Sequence, residues 1–134
     1  MFSTSLSEIV LIVKDVRNSA RFYEEVVGLT PYTKPDEEWA WFWSGNPDES
    51  AWVALHKGKL LFEEKSPFPE GKRWGQVHFA FHVPREKLKG ALDHLNKKGI
   101  EVHGPIYFEW MKATSYYFYD PDGNLLEFWS PDHE

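Results

Sequence analysis

Glu8-Ile9-Val10-Leu11-Ile12-Val13-Lys14-Asp15-Val16-Arg17-Asn18-Ser19-Ala20-Arg21-Phe22-Tyr23, running on to Val27-Gly28-Leu29, changes periodicity at Asp15. Before it stands a short β-branched apolar run, the pattern of a strand. After it Val16, Ala20, Phe22, Tyr23 and Val27 recur at helical spacing. Asp15 suits the junction, since its carboxylate can accept from the free amides of a first helical turn. Gly28 is a stop signal. A polar loop with Pro31 and Pro35 follows, then three segments that read as strands: Trp39–Trp43, Ala51–His56 and Lys59–Glu64. Ser66 to Gly75, with two prolines and two glycines, reads as a linker.

The order then repeats. Val77-His78-Phe79-Ala80-Phe81-His82-Val83 is a strand, and Pro84 suits the first position of a helix. Glu86 to Lys98 carries Leu88, Ala91, Leu92 and Leu95 on one face, and Gly99 ends it. Strands are expected around Ile106–Trp110, Thr114–Tyr119 and Asn124–Trp129, with Asp120-Pro121-Asp122-Gly123 as a turn between the last two. The chain thus reads as an α+β fold of two tandem βαβββ modules. The first covers about 6–65, the linker about 66–75 and the second about 76–134. A helix covers one face of each sheet, and the other faces are expected to curve around a central cavity.

A length of 134 residues is that of one ordinary domain. The net charge of −6 leaves no general basic surface for gripping nucleic acid or anionic lipid, and neither partner is expected. The absence of cysteine removes disulfides, thiolate ligands and thiol nucleophiles. No segment is long and apolar enough to span a bilayer and no secretory pattern opens the chain, so a soluble cytoplasmic protein is expected. The aromatic share is unusual at 17%, from 7 Trp, 6 Tyr and 10 Phe.

Strand alternation assigns side chains to faces. Ile9, Leu11 and Val13 share the helix side of the first strand. Val77, Phe79, Phe81 and Val83 do so in the fifth. Glu8, His78 and Glu127 then all fall on faces away from the helices. One imidazole and two carboxylates can hold a divalent cation, which would offset the burial of the carboxylates. The plainer reading is a satisfied histidine and two ordinary polar residues at strand ends. His82 shares the face of His78 but lies too far along the strand for the same ion; it is a candidate for the pocket wall. Trp39, Trp41 and Trp43 alternate on one face, with Trp52 on the next strand and Trp129 on the Glu127 side. They either pack a sheet or line a wall for a planar ligand. His56 and His103, beside turns, read as solvated, and His94 as exposed on its helix. Tyr107, Tyr117 and Tyr119 offer hydroxyl donors whose direction alternation leaves open.

The stretch from Glu8 to Leu29, the strand Val77–Val83 and the segment Asp120-Pro121-Asp122-Gly123-Asn124-Leu125-Leu126-Glu127 together resemble the vicinal oxygen chelate superfamily. This is the group of glyoxalase I, extradiol dioxygenases, fosfomycin-resistance enzymes and bleomycin-resistance proteins. The resemblance implies metal ligands at Glu8, His78 and Glu127, the residues that alternation singles out. It implies one divalent ion, with Mn²⁺, Zn²⁺, Ni²⁺, Fe²⁺ and Mg²⁺ not distinguished. It also implies a small-molecule substrate or ligand and a homodimer. Glu8 stands where metal-binding members usually carry His or Gln, which makes the site more anionic. Aligning Leu60-Leu61-Phe62 with Leu125-Leu126-Glu127 puts Phe62 at the fourth ligand position of glyoxalase I, so three ligands are expected. One His and two Glu also depart from the two His and one Glu of the ring-cleaving dioxygenases. Two functions follow from the resemblance. One is a metal-dependent isomerase, lyase or epoxide-adding enzyme, in which Glu8 or Glu127 serves as base. The other is a binding protein that sequesters an aromatic or cationic molecule on Trp39, Trp41, Trp43, Trp52, His82 and Trp129.

Overall fold

The structure is a computed structural model that describes residues 2–59, 65, 67 and 77–133. The chain divides into two compact units, Met1–Gly75 and Gln76–Glu134, each carrying one four-stranded sheet.

In the first unit β1 (Glu8–Val13) leads into α1 (Val16–Arg21). Asp15 is the N-cap: its backbone is extended and its Oδ1 accepts from the Asn18 amide at 3.1 Å. The helix then widens into a π-helical turn over Phe22–Val27 and ends at Gly28 with φ 86°. The widening shifts the buried face relative to a regular helix. Val16, Ser19, Ala20 and Tyr23 are buried, whereas Phe22 and Val27 remain half-buried. β2 (Thr30–Pro31), β3 (Trp39–Trp43) and β4 (Trp52–Lys57) complete the sheet in the order β1-β4-β3-β2.

β1 and β4 run parallel, with Leu11 opposite Leu55 and Ile9 opposite Val53, and β3 adds Ala40 and Phe42 in register. This side meets the helix, where Tyr23 lies against Phe42 at 6.4 Å between ring centroids. The third strand after the helix was expected over Lys59–Glu64. Among the described residues the sheet also holds the short edge strand Thr30–Pro31, in a segment expected to be loop. Proline is tolerated there because an edge strand leaves one row of backbone groups unpaired. Beyond Lys59, the expected strand lies outside the described residues, as do Phe62 and, but for Pro67, the expected linker Ser66–Gly75.

The second unit repeats the plan. β5 (His78–His82), α2 (Arg85–Lys97), β6 (His103–Phe108), β7 (Ala113–Tyr119) and β8 (Leu125–Pro131) form a sheet ordered β5-β8-β7-β6. Pro84 is the N-cap of α2, one place before its expected position. Phe79, Leu126 and Phe118 share one register row and Phe81, Phe128 and Tyr116 the next. Leu95 of α2 is fully buried in the same unit, and Phe118 meets Phe128 edge-to-face at 4.9 Å.

β6 ends earlier than the expected Trp110. Backbone bonds from Met111 to Phe108 and from Lys112 to Glu109 form a reversal there, with Lys112 at φ 50°. Trp110 is left exposed at that turn. Asp120 organises the other turn. Its Oδ1 accepts from the amides of Asp122 and Asn124 at 2.9 and 2.8 Å, and its Oδ2 from Asn124 Nδ2 at 2.9 Å.

Candidate functional site

Each sheet turns one face to its helix and the other away, and the register lists what stands on the second face. In the first unit Glu8 is opposite Trp52 and Trp52 opposite Trp43. Val10, Ala54 and Trp41 form the next row, and Ile12, His56 and Trp39 the last. The four tryptophans of this face are half-buried.

They form two groups. Trp39 stacks on Trp41 with centroids 4.6 Å apart and planes 9° from parallel, and the His56 ring lies 4.0 Å from Trp39. Tyr32 stacks on Trp52 at 4.8 Å, and Trp43 meets both of these rings. Trp41 Nε1 donates to Glu8 Oε1 at 2.8 Å, so the stack ends on a carboxylate. The Trp52 indole N–H is buried and has no hydrogen-bond partner among the described residues.

His56 was expected to be solvated beside its turn. It instead belongs to the aromatic face, with its Nδ1 2.6 Å from the Lys59 carbonyl. The alternation Trp52-x-Ala54-x-His56 already carried that information. Tyr32, just past a proline, had no such signal.

In the second unit the free face carries His78, Ala80 and His82 from β5, Leu125, Glu127 and Trp129 from β8, and Ser115, Tyr117 and Tyr119 from β7. Glu127 is its centre. Only 7% of its side chain is exposed, against 51% for His78. Glu127 Oε1 lies 2.9 Å from His78 Nε2, and Ser115 Oγ donates to Glu127 Oε2. Tyr117 stands opposite Glu127, with its ring 5.9 Å from His78. Burial raises the Tyr117 phenol above its ordinary pKa and the Glu127 carboxylate adds to this, while the Ser115 hydrogen bond opposes it.

The backbone of β6 passes close to Ser115. Gly104 of β6 has φ 137°, and a Cβ there would stand 2.9 Å from the Ser115 carbonyl oxygen. His82 and Trp129 meet at 5.6 Å, and the buried Trp129 indole N–H has no partner among the described residues. Sequence reasoning missed Ser115, although its alternation with Tyr117 on β7 marks it for the same face.

Within the second unit the structure brings His78 to Glu127, and within the first it brings Trp41 to Glu8. Among the described residues no group of three His, Asp or Glu side chains is gathered as a metal site. The register also revises the fourth ligand position. His78 lies two residues before Ala80, the partner of Glu127. Glu8 lies two before Val10, whose partner is Ala54. Ala54, not Phe62, is thus the counterpart of Glu127, and it too has no ligand atom.

The family model described as Glyoxalase/Bleomycin resistance protein/Dioxygenase superfamily matches residues 5–128. The chain belongs to this superfamily. It is 30% identical over 132 residues to virulence protein STM3117 of Salmonella typhimurium, covering 95% of this chain and 84% of that one. It is 28% identical over 123 residues to glutathione transferase FosA of Serratia marcescens, covering 92% of this chain and 78% of that one. An integron cassette protein, HFX_CASS4, from the mobile metagenome of the Halifax Harbour sewage outfall has the same fold. There the TM-score is 0.74 at 31% identity, covering 96% of this chain and 99% of that one. The two tandem modules are the glyoxalase-like fold of this superfamily. Among the described residues no helix is long and apolar enough to cross a membrane.

Proposed function

We propose that this chain is a divalent-metal-dependent enzyme of the glyoxalase type, acting on a small substrate through two neighbouring oxygens, with Glu8, His78 and Glu127 as the protein ligands. The observation that carries the reading is the His78–Glu127 pair. Two donors, each ~2.1 Å from an ion and at right angles about it, stand ~3 Å apart. The 2.9 Å between His78 Nε2 and Glu127 Oε1 suits that spacing. Ser115 orients the carboxylate through its other oxygen, as outer hydrogen bonds do for metal ligands.

When bound, the ion supplies Lewis-acid stabilisation of negative charge developing on substrate oxygen. The chain's own groups do the rest. Tyr117 Oη keeps its proton at neutral pH and can donate to a substrate oxygen. A carboxylate of Glu8 or Glu127 can accept a proton. With no cysteine in the chain, any thiol in the reaction arrives with a substrate. The name of the glutathione transferase relative supports addition of such a thiol, for example to an epoxide. A homodimer in solution is part of the same reading.

The test is elemental analysis of protein purified without chelator, beside His78→Ala. About one divalent ion per chain, lost in the variant, is the expected result, followed by turnover of 2-oxoaldehydes or of epoxides with thiol. Wild-type protein that takes up none of Mn²⁺, Zn²⁺, Ni²⁺, Fe²⁺ or Mg²⁺ overturns it.

The aromatic face favours a second reading, a binding protein of the bleomycin-resistance kind. The two ring stacks and the unpartnered Trp52 N–H suit a planar ligand, and Glu8 suits a cationic one. Quenching of tryptophan fluorescence by an aromatic cation, undiminished in His78→Ala, would favour this reading over the enzyme.

A further inference from the structure

The chain has six more negative than positive charges, yet one cleft of the first unit has the opposite balance. It measures about 450 Å³ and is lined by Lys14, Asp15, Val16, Arg17, Arg21, Glu37 and Lys57. Among the described residues, four cations face two carboxylates there. The topology is what collects them. β1 and β4 are parallel neighbours with Val13 opposite Lys57, so the strand ends deliver Lys14 and Lys57 to the same edge. Arg17 and Arg21, four residues apart on α1, share one helix face above them.

Asp15 spends its carboxylate on the Asn18 amide. Asp36, whose carboxylate feels the Arg17 charge, is itself turned to the amides of Glu38 and Trp39 at 2.7 and 2.8 Å. Arg21 and Lys57 form no ion pair among the described residues. Among the described residues Val16 is the one apolar residue of the lining, and it is almost wholly buried.

We infer that this cleft is a binding site for a small phosphate-bearing molecule, held by Arg17 and Arg21 and flanked by Lys14 and Lys57. The volume lies in the range of small-molecule sites, roughly 300–1,000 Å³. The lining is charged where such sites are usually apolar, which selects a doubly charged anion over an apolar ligand. Guanidinium forks match the tetrahedral oxygens of phosphate, and two guanidinium side chains line this cleft. None of the residues belongs to the proposed ligand set or to the aromatic face, so the inference stands apart from the proposed function.

The test uses ¹⁵N-labelled protein passed over a chelating resin and titrated with inorganic phosphate at low ionic strength, where such contacts are least screened. Saturable amide shifts centred on Lys14, Arg17, Arg21 and Lys57 are expected. The variant Arg17→Ala/Arg21→Ala should bind phosphate about fivefold or more weakly, because two exposed charge-assisted contacts are gone. Lys89→Ala, a cation removed from α2, should bind as the wild type does. Non-saturating shifts spread over the surface overturn the inference, as does undiminished phosphate binding by the double arginine variant. Vesicles containing phosphatidic acid separate the sources: co-sedimentation that inorganic phosphate does not compete away would assign the cleft to a membrane surface and overturn a free small-molecule ligand.

Discussion

Ser115→Ala tests whether the Glu127 carboxylate depends on its hydrogen bonds. Ser115 is fully buried and Glu127 is 5% exposed, so water cannot easily replace a lost partner. The substitution removes the buried donor to Oε2, while His78 still holds Oε1 and Tyr117 faces the carboxylate from the next strand. Hydrogen bonds to charged groups contribute about 1.5–3 kcal/mol, and a buried acceptor left alone loses most of that. A whole domain is stable by only about 0.05–0.15 kcal/mol per residue, so the loss is large on that scale. The midpoint of thermal unfolding should fall by roughly 3–10 °C.

Urea unfolding followed by tryptophan fluorescence measures the effect, with the slope of the transition checked for constancy. The decisive arm is a double-mutant cycle with Glu127→Leu. Once the carboxylate is gone, Ser115→Ala strands no acceptor and should cost less than about 0.5 kcal/mol. The coupling between the two positions should then exceed about 1 kcal/mol. A single Ser115→Ala within about 0.5 kcal/mol of wild type, or an equal loss in both backgrounds, would refute the reasoning.

Trp41→Phe keeps the stacked ring but removes the donor to Glu8; stability should change by less than about 1 kcal/mol, since the bond is exposed, while metal affinity falls about tenfold if Glu8 is a ligand. Titration with Mn²⁺ checks this, and an unchanged affinity would remove Trp41 from the outer support of the site. Tyr107 donates to Asp132 Oδ2 at 2.7 Å, and this bond above all pushes its phenol up to about 12. A raised folded pKa means its contribution to stability is complete below the ordinary tyrosine value of about 10 and is lost as pH rises from there through 12. Ultraviolet titration should show, besides the raised Tyr117, a late phenolate near 12 that Asp132→Asn moves back toward 10 and Tyr107→Phe abolishes. Asp120→Ala removes the acceptor for two amides and the Asn124 side chain in a buried turn, and should destabilise by about 2–4 kcal/mol in the same urea assay.

The parts legible in the sequence were those set by local rules. The change of period at Asp15 marked the first helix start, and the Asp15 side chain does cap it. Gly28 and Gly99 mark the two helix ends, and both adopt the left-handed backbone that glycine permits. The π-helical turn was not legible, because no residue type signals it and apolar spacing cannot separate it from regular helix. The pairing of Thr30–Pro31 as an edge strand was hidden for a related reason: a two-residue strand has no periodicity to read.

For the site, alternation placed Glu8, His78 and Glu127 on the faces away from the helices, because a strand's side chains have no other choice than two sides. It placed the tryptophans of β3 on one face for the same reason. What alternation cannot supply is which strand lies beside which. Only the sheet order made β8 the neighbour of both β5 and β7. That order sets Glu127 between His78 and Ser115, replaces Phe62 by Ala54 as its counterpart, and gathers Lys14 and Lys57 at one edge. Face is fixed along a strand by the pleat, whereas neighbours are fixed across strands by hydrogen bonds between residues far apart in the chain. The sequence by itself therefore determined which face each residue takes, and the tertiary pairing decided which of them stand together.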